Sequence, residues 1–452
     1  MRQYRQLLRE NPGYSRLWMA QVVSLLGDWF NTIVLSALVA RYSDGSGLAV
    51  SIFLMARFLP PLIVGPFAGV LVDRFDRQKV LVYCNVLRIF VVLGFLLATT
   101  PDTLWLIYAL TIAQFSLSAF FEPAQSAITP SLVKRDDLVV ANTLASITWS
   151  SMLALGAMAG GIVAAIFGPV TALVIDAVTF AVAGALIASI RVDARPESGV
   201  LIDASEDDNE SGSFLDGLRY LRRNKLTAAV LMVKGGGSIG NVDLLMTIYA
   251  TQLFVMGTDG QLSLGIMYSA FGLGAIAGPL LLNRINDGSI ARMRRLILIG
   301  FVFAAIGWVF FGAAGSLLLA SMGLAVRAMG GSANWTYSSV IIQKSVPDRY
   351  LGRVFSLDLA LFQLVTVVST VIHGASVDLL REVTVQQNFL LDFSGQFVQE
   401  AIVFTGRFGA EGVPLIVFVT ALVSVIPVVV WLLLLPRMER RDVVRQFPAG
   451  AD

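Results

Sequence analysis

The sequence has little of the chemistry that metalloproteins and hydrolytic enzymes use. It contains one cysteine, Cys84, and one histidine, His373. A single cysteine excludes a disulfide or a cysteine metal cluster within the chain. A single histidine excludes a multi-histidine metal site and argues against Ser-His-Asp catalysis. No P-loop motif occurs, so we do not expect the protein to use ATP as its energy source. We therefore expect a non-enzymatic protein without metal or cofactor.

Charged residues are also scarce. They make up 14% of the 452 residues, whereas hydrophobic residues make up 56%. A soluble domain has about 25% charged residues. The net charge of +2 is too small to indicate a nucleic-acid partner. The apolar residues form long runs, each near the roughly 20 residues that cross a bilayer. The sequence therefore predicts an all-α membrane protein.

Twelve apolar runs are long enough to be transmembrane helices: 16–40, 48–72, 80–99, 104–128, 138–166, 170–190, 226–256, 262–283, 296–315, 317–343, 353–379 and 412–436. A polar, acidic stretch interrupts them after the sixth run, and a short basic amphipathic segment follows it. The sequence therefore predicts an N-terminal six-helix bundle (1–190), a cytoplasmic linker with an amphipathic helix (191–225), a C-terminal six-helix bundle (226–436) and a cytoplasmic tail (437–452).

Basic residues are concentrated in alternate connections between these runs. The opposite connections hold only Arg41, Arg381 and Arg407. Connections rich in lysine and arginine stay in the cytoplasm. We therefore expect both termini to be cytoplasmic, which agrees with an even number of spans. The basic start of the chain has no small-residue cleavage site, so we expect the first helix to be retained.

The two halves share residues at a constant spacing. Gly27-Asp28 corresponds to Gly240-Asn241, and Gly65-Pro66 corresponds to Gly278-Pro279. This correspondence runs through separate regions without gaps, which favours duplication of a six-helix unit and two pseudo-symmetric bundles.

The loop after the second run reads GVLVDRFDRQK, from Gly69 to Lys79. It resembles the signature of the major facilitator superfamily, although Asp76 stands where that family usually has glycine. The resemblance implies the major facilitator fold, with a substrate site between the bundles near the midplane. It also implies a cytoplasmic gate formed by residues of this loop. The gate candidates in the loop are Gly69, Asp73, Arg74, Arg77 and Lys79. We add Asp358, near the start of the eleventh run, as a further gate candidate.

Four segments resemble the branch of macrolide efflux proteins and the enterobactin exporter: NPGYSRLWMAQVVSLLGDWF, ARFLPPLIVGPFAGVLVDR, FFEPAQSAITPSLVKRDDLVVANTL and LGRVFSLD. This branch is the third drug:proton antiporter family. The resemblance implies a secondary active transporter of the bacterial inner membrane, linked to multidrug resistance, that exports its substrate by alternating access driven by proton entry. We expect it to be a monomer. The implied partners are protons, membrane lipids and an amphipathic or hydrophobic small molecule of the drug, macrolide or siderophore type.

Three other functions stay open on the sequence. The first is a lysophospholipid transporter or flippase. A ferroportin-like metal exporter is disfavoured by the near absence of cysteine and histidine, and a non-transporting membrane scaffold is disfavoured by the gate motif and the buried charges.

Inserting an ionisable side chain at the bilayer centre costs about 2.5–3.5 kcal/mol of free energy, so each such residue in a predicted span is expected to have a structural or functional role. Asp28 lies near mid-membrane and is the first candidate for a proton carrier or a cation-binding site in the central cavity. The alternative is a structural ion pair with Arg57 that does not titrate. Arg57 lies at a similar depth and is expected to pair with it. Glu122 precedes Pro123 and is either a proton relay or the partner of Arg88.

Other charges fall into two layers. Asp243 and Arg327 lie nearer the outside and are candidates for an external gate. Lys234 lies nearer the cytoplasm, with Asp358. Asp176 and His373 are interpreted as packing residues, Asp176 with Thr179 as a hydroxyl partner.

Overall fold

The apolar runs of the sequence form helices in the computed structural model, which describes residues 2–72, 74–134, 137–190, 214–240, 242–385 and 413–446. Every long element in these ranges is a helix, and these ranges contain no β-strand. The helices are α1 Arg2–Glu10, α2 Pro12–Tyr42, α3 Gly47–Val72, α4 Arg77–Gly94, α5 Leu104–Leu132, α6 Leu138–Ala188, α7 Phe214–Arg223, α8 Lys225–Gly237, α9 Val242–Ile248, α10 Gln261–Leu282, α11 Ile290–Gly312, α12 Leu317–Ser345, α13 Asp348–Val385 and α14 Val413–Gln446.

Nine helices in the described ranges are long and apolar enough to cross a membrane. This number is smaller than the twelve predicted spans for identifiable reasons. The predicted spans 138–166 and 170–190 are joined in α6. The predicted span 226–256 is divided among shorter elements. Helix α12 is long, but it includes polar residues such as Arg327 and Asn334 and is not among the nine.

Helix α6 contains a sharp turn where the sequence predicts two spans. Gly168 has φ 84° and ψ 166°, a conformation that glycine adopts readily and other residues avoid. Pro169 follows and lacks the backbone N–H that would continue the helix. The chain therefore changes direction inside α6, close to the predicted boundary.

The sequence prediction of one continuous helix over 226–256 is wrong. Helix α8 ends at Gly237, and Gly240 has φ 82°. The chain resumes as α9 and then as a π-helical turn, Tyr249–Leu253. Three consecutive glycines, Gly235 to Gly237, weaken the helix because glycine costs about 1 kcal/mol relative to alanine at each interior position.

The chain forms two compact units. Unit 1 comprises residues 1–203 and 243–269, and unit 2 comprises residues 204–242 and 270–452. In unit 1, α2 packs along α6, α3 packs on α5, and α4 packs on both α5 and α6. In unit 2, α11 packs along α12 and α14, and α8 contacts α12 and α13. The domain limits predicted from the sequence stay predictions.

Candidate functional site

A cluster of polar side chains lies inside unit 1, around Asp28 of α2. Three other helices contribute neighbours to its carboxyl group. The guanidinium groups of Arg88 (α4) and Arg57 (α3) act on it electrostatically, and the amide of Gln114 (α5) lies within hydrogen-bonding reach. Asp28 is partly exposed, whereas Gln114 is buried. The packing of four helices thus places two cations and an amide around one carboxyl group.

Arg57 does not form a direct ion pair with Asp28, contrary to the expectation from their similar depth. Its Nη2 donates a hydrogen bond to Thr32 Oγ1 at 3.1 Å. Its guanidinium lies 5.1 Å from the ring centroid of Phe115 and 6.0 Å from that of Phe53. A guanidinium on aromatic faces keeps favourable electrostatic contacts without a carboxylate. Arg57 therefore affects Asp28 through space.

Arg88 is the cation that the acidic residues of the cluster share. It is 4% exposed, and its Nη2 donates a hydrogen bond to Ser118 Oγ at 2.7 Å. Its guanidinium lies 4.7 Å from the ring centroid of Phe121 and 5.3 Å from that of Phe180. Glu122, one helical position beyond Phe121, is exposed and interacts electrostatically with Arg88. From the sequence, Arg88 was predicted only as a possible partner of Glu122.

Asp176 completes the cluster from the second part of α6. It is fully buried, and it interacts electrostatically with both Asp28 and Arg88. The space for it exists because residue 27 is glycine. A Cβ on Gly27 would overlap Asp176 Oδ1 and Thr179 Oγ1. Packing against α6 therefore explains why position 27 is glycine, which the sequence repeat alone does not explain.

The predicted cytoplasmic gate is only partly described. Asp73 lies outside the described residues, and Gly69 is placed as a helical residue near the end of α3. Arg74 and Lys79 are exposed, and Arg77 is half-buried. These positions leave the gate a prediction.

Asp76 stands where the resembled family usually has glycine, and the structure gives it a local role. It is the N-cap of α4, and its Oδ1 accepts hydrogen bonds from the backbone N–H groups of Gln78 at 3.0 Å and Lys79 at 3.2 Å. An N-cap aspartate satisfies N–H groups that have no partner within the helix.

Two side chains that the sequence did not single out hold the C-terminal end of α6. Gln78 Nε2 donates to the carbonyl oxygens of Ile187 and Ile190, both at 2.8 Å. Arg16 Nη1 donates to the carbonyl oxygen of Ser189 at 2.6 Å. The last carbonyl groups of a helix lack partners within the helix, so a cation and an amide satisfy them well.

The main charged feature of unit 2 is a buried ion pair between Lys234 (α8) and Asp358 (α13). Their side chains are 5% and 1% exposed. Lys234 Nζ also lies 4.3 Å from the ring centroid of Trp335 and 5.7 Å from that of Phe355. The sequence placed both charges in one layer, and the structure brings them together. Asp358 therefore contacts a specific cation within the bundle.

Asp243 and Arg327, the external-gate candidates, have different partners. Asp243 Oδ1 accepts a hydrogen bond from Tyr268 OH at 2.8 Å in unit 1. Arg327 Nη2 donates to the carbonyl oxygen of Gly237 at 3.3 Å in unit 2, and its guanidinium lies 4.7 Å from the ring centroid of Trp308. Arg327 thus contacts the end of α8, next to the break in the chain.

His373 also lies near this break. Its Nε2 lies 2.7 Å from Thr420 Oγ1, and its Nδ1 lies 2.7 Å from the carbonyl oxygen of Ser369. The backbone N–H of Gly240 donates to Ser369 Oγ at 2.9 Å. The histidine and its hydroxyl neighbours therefore connect the broken segment to α13 and α14.

Within the described ranges, no group of three or more histidine, cysteine, aspartate or glutamate side chains is arranged to hold a metal ion.

The comparisons with known proteins agree on the family. The family model of the Major Facilitator Superfamily matches residues 17–370. The chain is 24% identical to macrolide efflux protein A of Streptococcus pyogenes over 80% of this chain and 88% of that protein. It is 28% identical to the putative bacilysin exporter BacE of Bacillus subtilis over 60% of this chain and 66% of that protein.

A solved structure shows the same fold. The bacterial homologue of the human lysosomal transporter Spinster, in an inward-facing and unoccupied conformation, aligns with a TM-score of 0.70 and 12% identity. The alignment covers 94% of this chain and 97% of that one. The family match over most of the chain, the helical fold and the apolar helices lead to one conclusion: this chain belongs to the Major Facilitator Superfamily and is a multi-pass membrane transporter, not an enzyme.

Proposed function

We propose that this transporter is a proton-coupled exporter of an amphipathic or hydrophobic small molecule in the bacterial inner membrane, with both termini in the cytoplasm. The names of two relatives, a macrolide efflux protein and a putative bacilysin exporter, support an efflux function. The concentration of basic residues in alternate connections supports the orientation.

The observation that carries the coupling proposal is the surroundings of Asp28. The residue is partly exposed, and its carboxyl group lies near Arg57, Arg88 and Gln114. Burial disfavours the ionised form of a carboxyl group and nearby cations favour it, so a modest change in exposure changes its proton affinity. Coupling requires such a change, because protonation must favour one conformation and substrate the other.

Glu122 supplies an acid closer to solvent in this proposal. It is exposed, and it interacts electrostatically with both Arg88 and Asp28. An exposed acid next to a partly buried one is a suitable intermediate for proton exchange with water. Asp28 is therefore the coupling group, and Glu122 is the relay.

The test is efflux from proteoliposomes with and without an imposed pH gradient, using a macrolide, a fluorescent amphipathic dye and a lysophospholipid as substrates. We expect Asp28→Asn to lose the response to the gradient while expression and thermal stability stay close to wild type. Asp102→Asn is the matched control, because Asp102 is exposed in a turn before α5.

A wild-type response in Asp28→Asn would show that Asp28 is not the coupling site and would make Glu122 the next candidate. Transport of the lysophospholipid alone would replace the drug-type substrate with a lipid. No response of any substrate to the gradient in the wild type would overturn proton coupling itself.

A further inference from the structure

The hydrogen bonding of Asp176 does not suit an ionised carboxylate. The side chain is fully buried in α6. Its Oδ1 has one long hydrogen bond, from Thr179 Oγ1 at 3.5 Å. The side-chain amide of Asn31 (α2) lies nearby and acts on the carboxyl group, but neither Asp176 Oδ2 nor Asn31 Nδ2 has a hydrogen-bond partner among the described residues. A buried carboxylate is stable only when strong donors compensate for the loss of water. This geometry suits the neutral, protonated acid.

The charges of the cluster lead to the same conclusion. Three acids, Asp28, Glu122 and Asp176, interact electrostatically with Arg88, and Arg57 adds the second cation. If all five groups were ionised, the cluster would carry one surplus negative charge inside the membrane-spanning bundle. One bound proton removes the surplus, and the fully buried acid is the one for which ionisation costs most.

The contacts of Arg88 leave Asp176 without a direct ion pair. Among the described residues, the ion pairs within 4.0 Å include Arg41–Asp259 and Lys234–Asp358, and none joins Arg88 to Asp176. Arg88 instead donates to Ser118 and lies on the rings of Phe121 and Phe180. Its charge therefore acts on Asp176 only over a longer distance.

The backbone of α2 brings Asp176 next to Asp28. Asp176 Oδ1 lies against the Cα of Gly27, in the space that any larger side chain would fill. Asp28 is the next residue, and the two carboxyl groups interact electrostatically. Asp28 is partly exposed and Asp176 is not. The pair therefore consists of one partly exposed acidic residue and one fully buried acidic residue.

We propose that Asp176 is a second proton-binding group of unit 1, which holds a proton in this conformation and exchanges it with Asp28. In the exchange, the proton leaves the Asp176 carboxyl group, which becomes a carboxylate, and binds the Asp28 carboxylate, which becomes the acid. The total charge does not change. Two acids that interact in this way titrate as a pair, because ionisation of one strengthens proton binding by the other.

The other charged groups that act on the pair are Arg57 on α3, Arg88 on α4 and Glu122 on α5. Cys84 on α4 interacts electrostatically with Arg88, and Tyr268 with Arg57. Asp243 accepts the hydrogen bond of Tyr268. Of the three acids Asp28, Glu122 and Asp176, only Asp176 combines full burial with an oxygen that has no hydrogen-bond partner among the described residues.

Infrared spectroscopy of the purified, full-length protein tests the bound proton without any substrate. At neutral pH we expect a carbonyl band of a protonated carboxylic acid in the wild type and in Asp28→Asn. The band should be lost in Asp176→Asn and kept in the control Asp102→Asn. Persistence of the band in Asp176→Asn, or its absence from the wild type, would overturn the proposal.

Isotope labelling keeps the test valid if Asp176→Asn does not fold. Aspartate labelled with heavy carbon at its carboxyl group should shift the wild-type band, and labelled glutamate should leave it unchanged. A band that follows the glutamate label would assign the proton to a residue such as Glu122 and overturn the proposal.

The exchange with Asp28 rests on the proposed proton coupling, and its readout is separate from the band. We expect the pH dependence of efflux to show two apparent pKa values in the wild type and one in Asp176→Asn, because a pair of interacting acids titrates in two separate steps. Two apparent pKa values in Asp176→Asn would overturn the exchange. A third outcome is that the infrared band is lost in Asp176→Asn while wild-type efflux does not respond to the pH gradient. That combination would contradict proton coupling but would still support a buried, protonated Asp176.

Discussion

Buried charges in this protein are stabilised in two different ways. In unit 2, Lys234 and Asp358 form a direct ion pair next to aromatic rings. In unit 1, Asp28, Arg57, Arg88 and Asp176 share a cluster without a direct ion pair among them, within the part of the chain that the structure describes. In a direct pair the opposite charges stabilise each other in contact, whereas in the looser cluster they act on one another only over longer distances.

The buried pair gives a prediction about stability. Lys234→Met leaves the Asp358 carboxylate buried without its cation, so we expect a loss of about 3–5 kcal/mol in the free energy of unfolding. The double variant Lys234→Met/Asp358→Asn removes both charges and should regain most of that loss. Thermal and denaturant unfolding of the purified protein in detergent measures both effects. A single variant as stable as wild type would show that the pair is not formed.

For individual charged residues, the sequence predicted an approximate depth in the membrane but not the contacts of the side chain. Counting residues along a helix placed Asp28 and Arg57 at one level and Lys234 and Asp358 at another. Depth gives no direction around the helix axis, so it did not reveal that Arg57 donates to Thr32 or that Asp176 lies against Gly27. Those contacts depend on which helix faces are packed together.

Among the helices, close approach depends on small residues at particular positions. In unit 1, a Cβ on Gly161 of α6 would lie 2.8 Å from the carbonyl oxygen of Gln261 and 3.0 Å from the Cα of Gly265. A Cβ on Gly265 would lie 2.7 Å from the carbonyl oxygen of Ala157. The backbones of α6 and α10 therefore touch directly, as small residues allow in membrane helices.

This contact predicts the effect of a larger side chain. Gly161→Val should force the two backbones apart and lower the stability of this arrangement by about 1–3 kcal/mol, the usual cost of overpacking. Gly331→Val is the control, because no atom lies within 4 Å of a Cβ added at Gly331 of α12. Thermal unfolding of both variants measures the difference. Equal melting temperatures for the two variants would contradict the close contact.

Helix breaks were predictable where glycine and proline are adjacent and were missed where glycine acts alone. Gly168 and Pro169 mark the turn in α6 near the predicted boundary. The run Gly235 to Gly237 lies inside an apolar segment of ordinary length, so hydropathy alone predicts a continuous span. The break is stabilised by contacts from Arg327 to Gly237 and from Ser369 to Gly240, which are distant in sequence.

At the scale of the whole molecule, the orientation in the membrane is testable. Single cysteines at Ser205 and Gln387, in a Cys84→Ser background, should react oppositely with an impermeant thiol reagent added outside intact cells. Both positions lie outside the described residues, so the prediction rests on the basic residues of the connections. We expect Gln387→Cys to be labelled and Ser205→Cys to be protected. Labelling of Ser205→Cys alone would reverse the assigned orientation.

The sequence by itself determined the membrane location, the helical class and the family. Long apolar runs have no stable alternative in a bilayer, because every backbone polar group must find its partner within the helix. The gate-loop motif and the repeated glycines then indicated the superfamily. Only the tertiary structure decided which charges meet: Lys234 with Asp358, Arg88 with Ser118, and Asp176 with the backbone beside Asp28. These contacts join residues far apart in the chain, and helix packing, which no local pattern encodes, sets their distances.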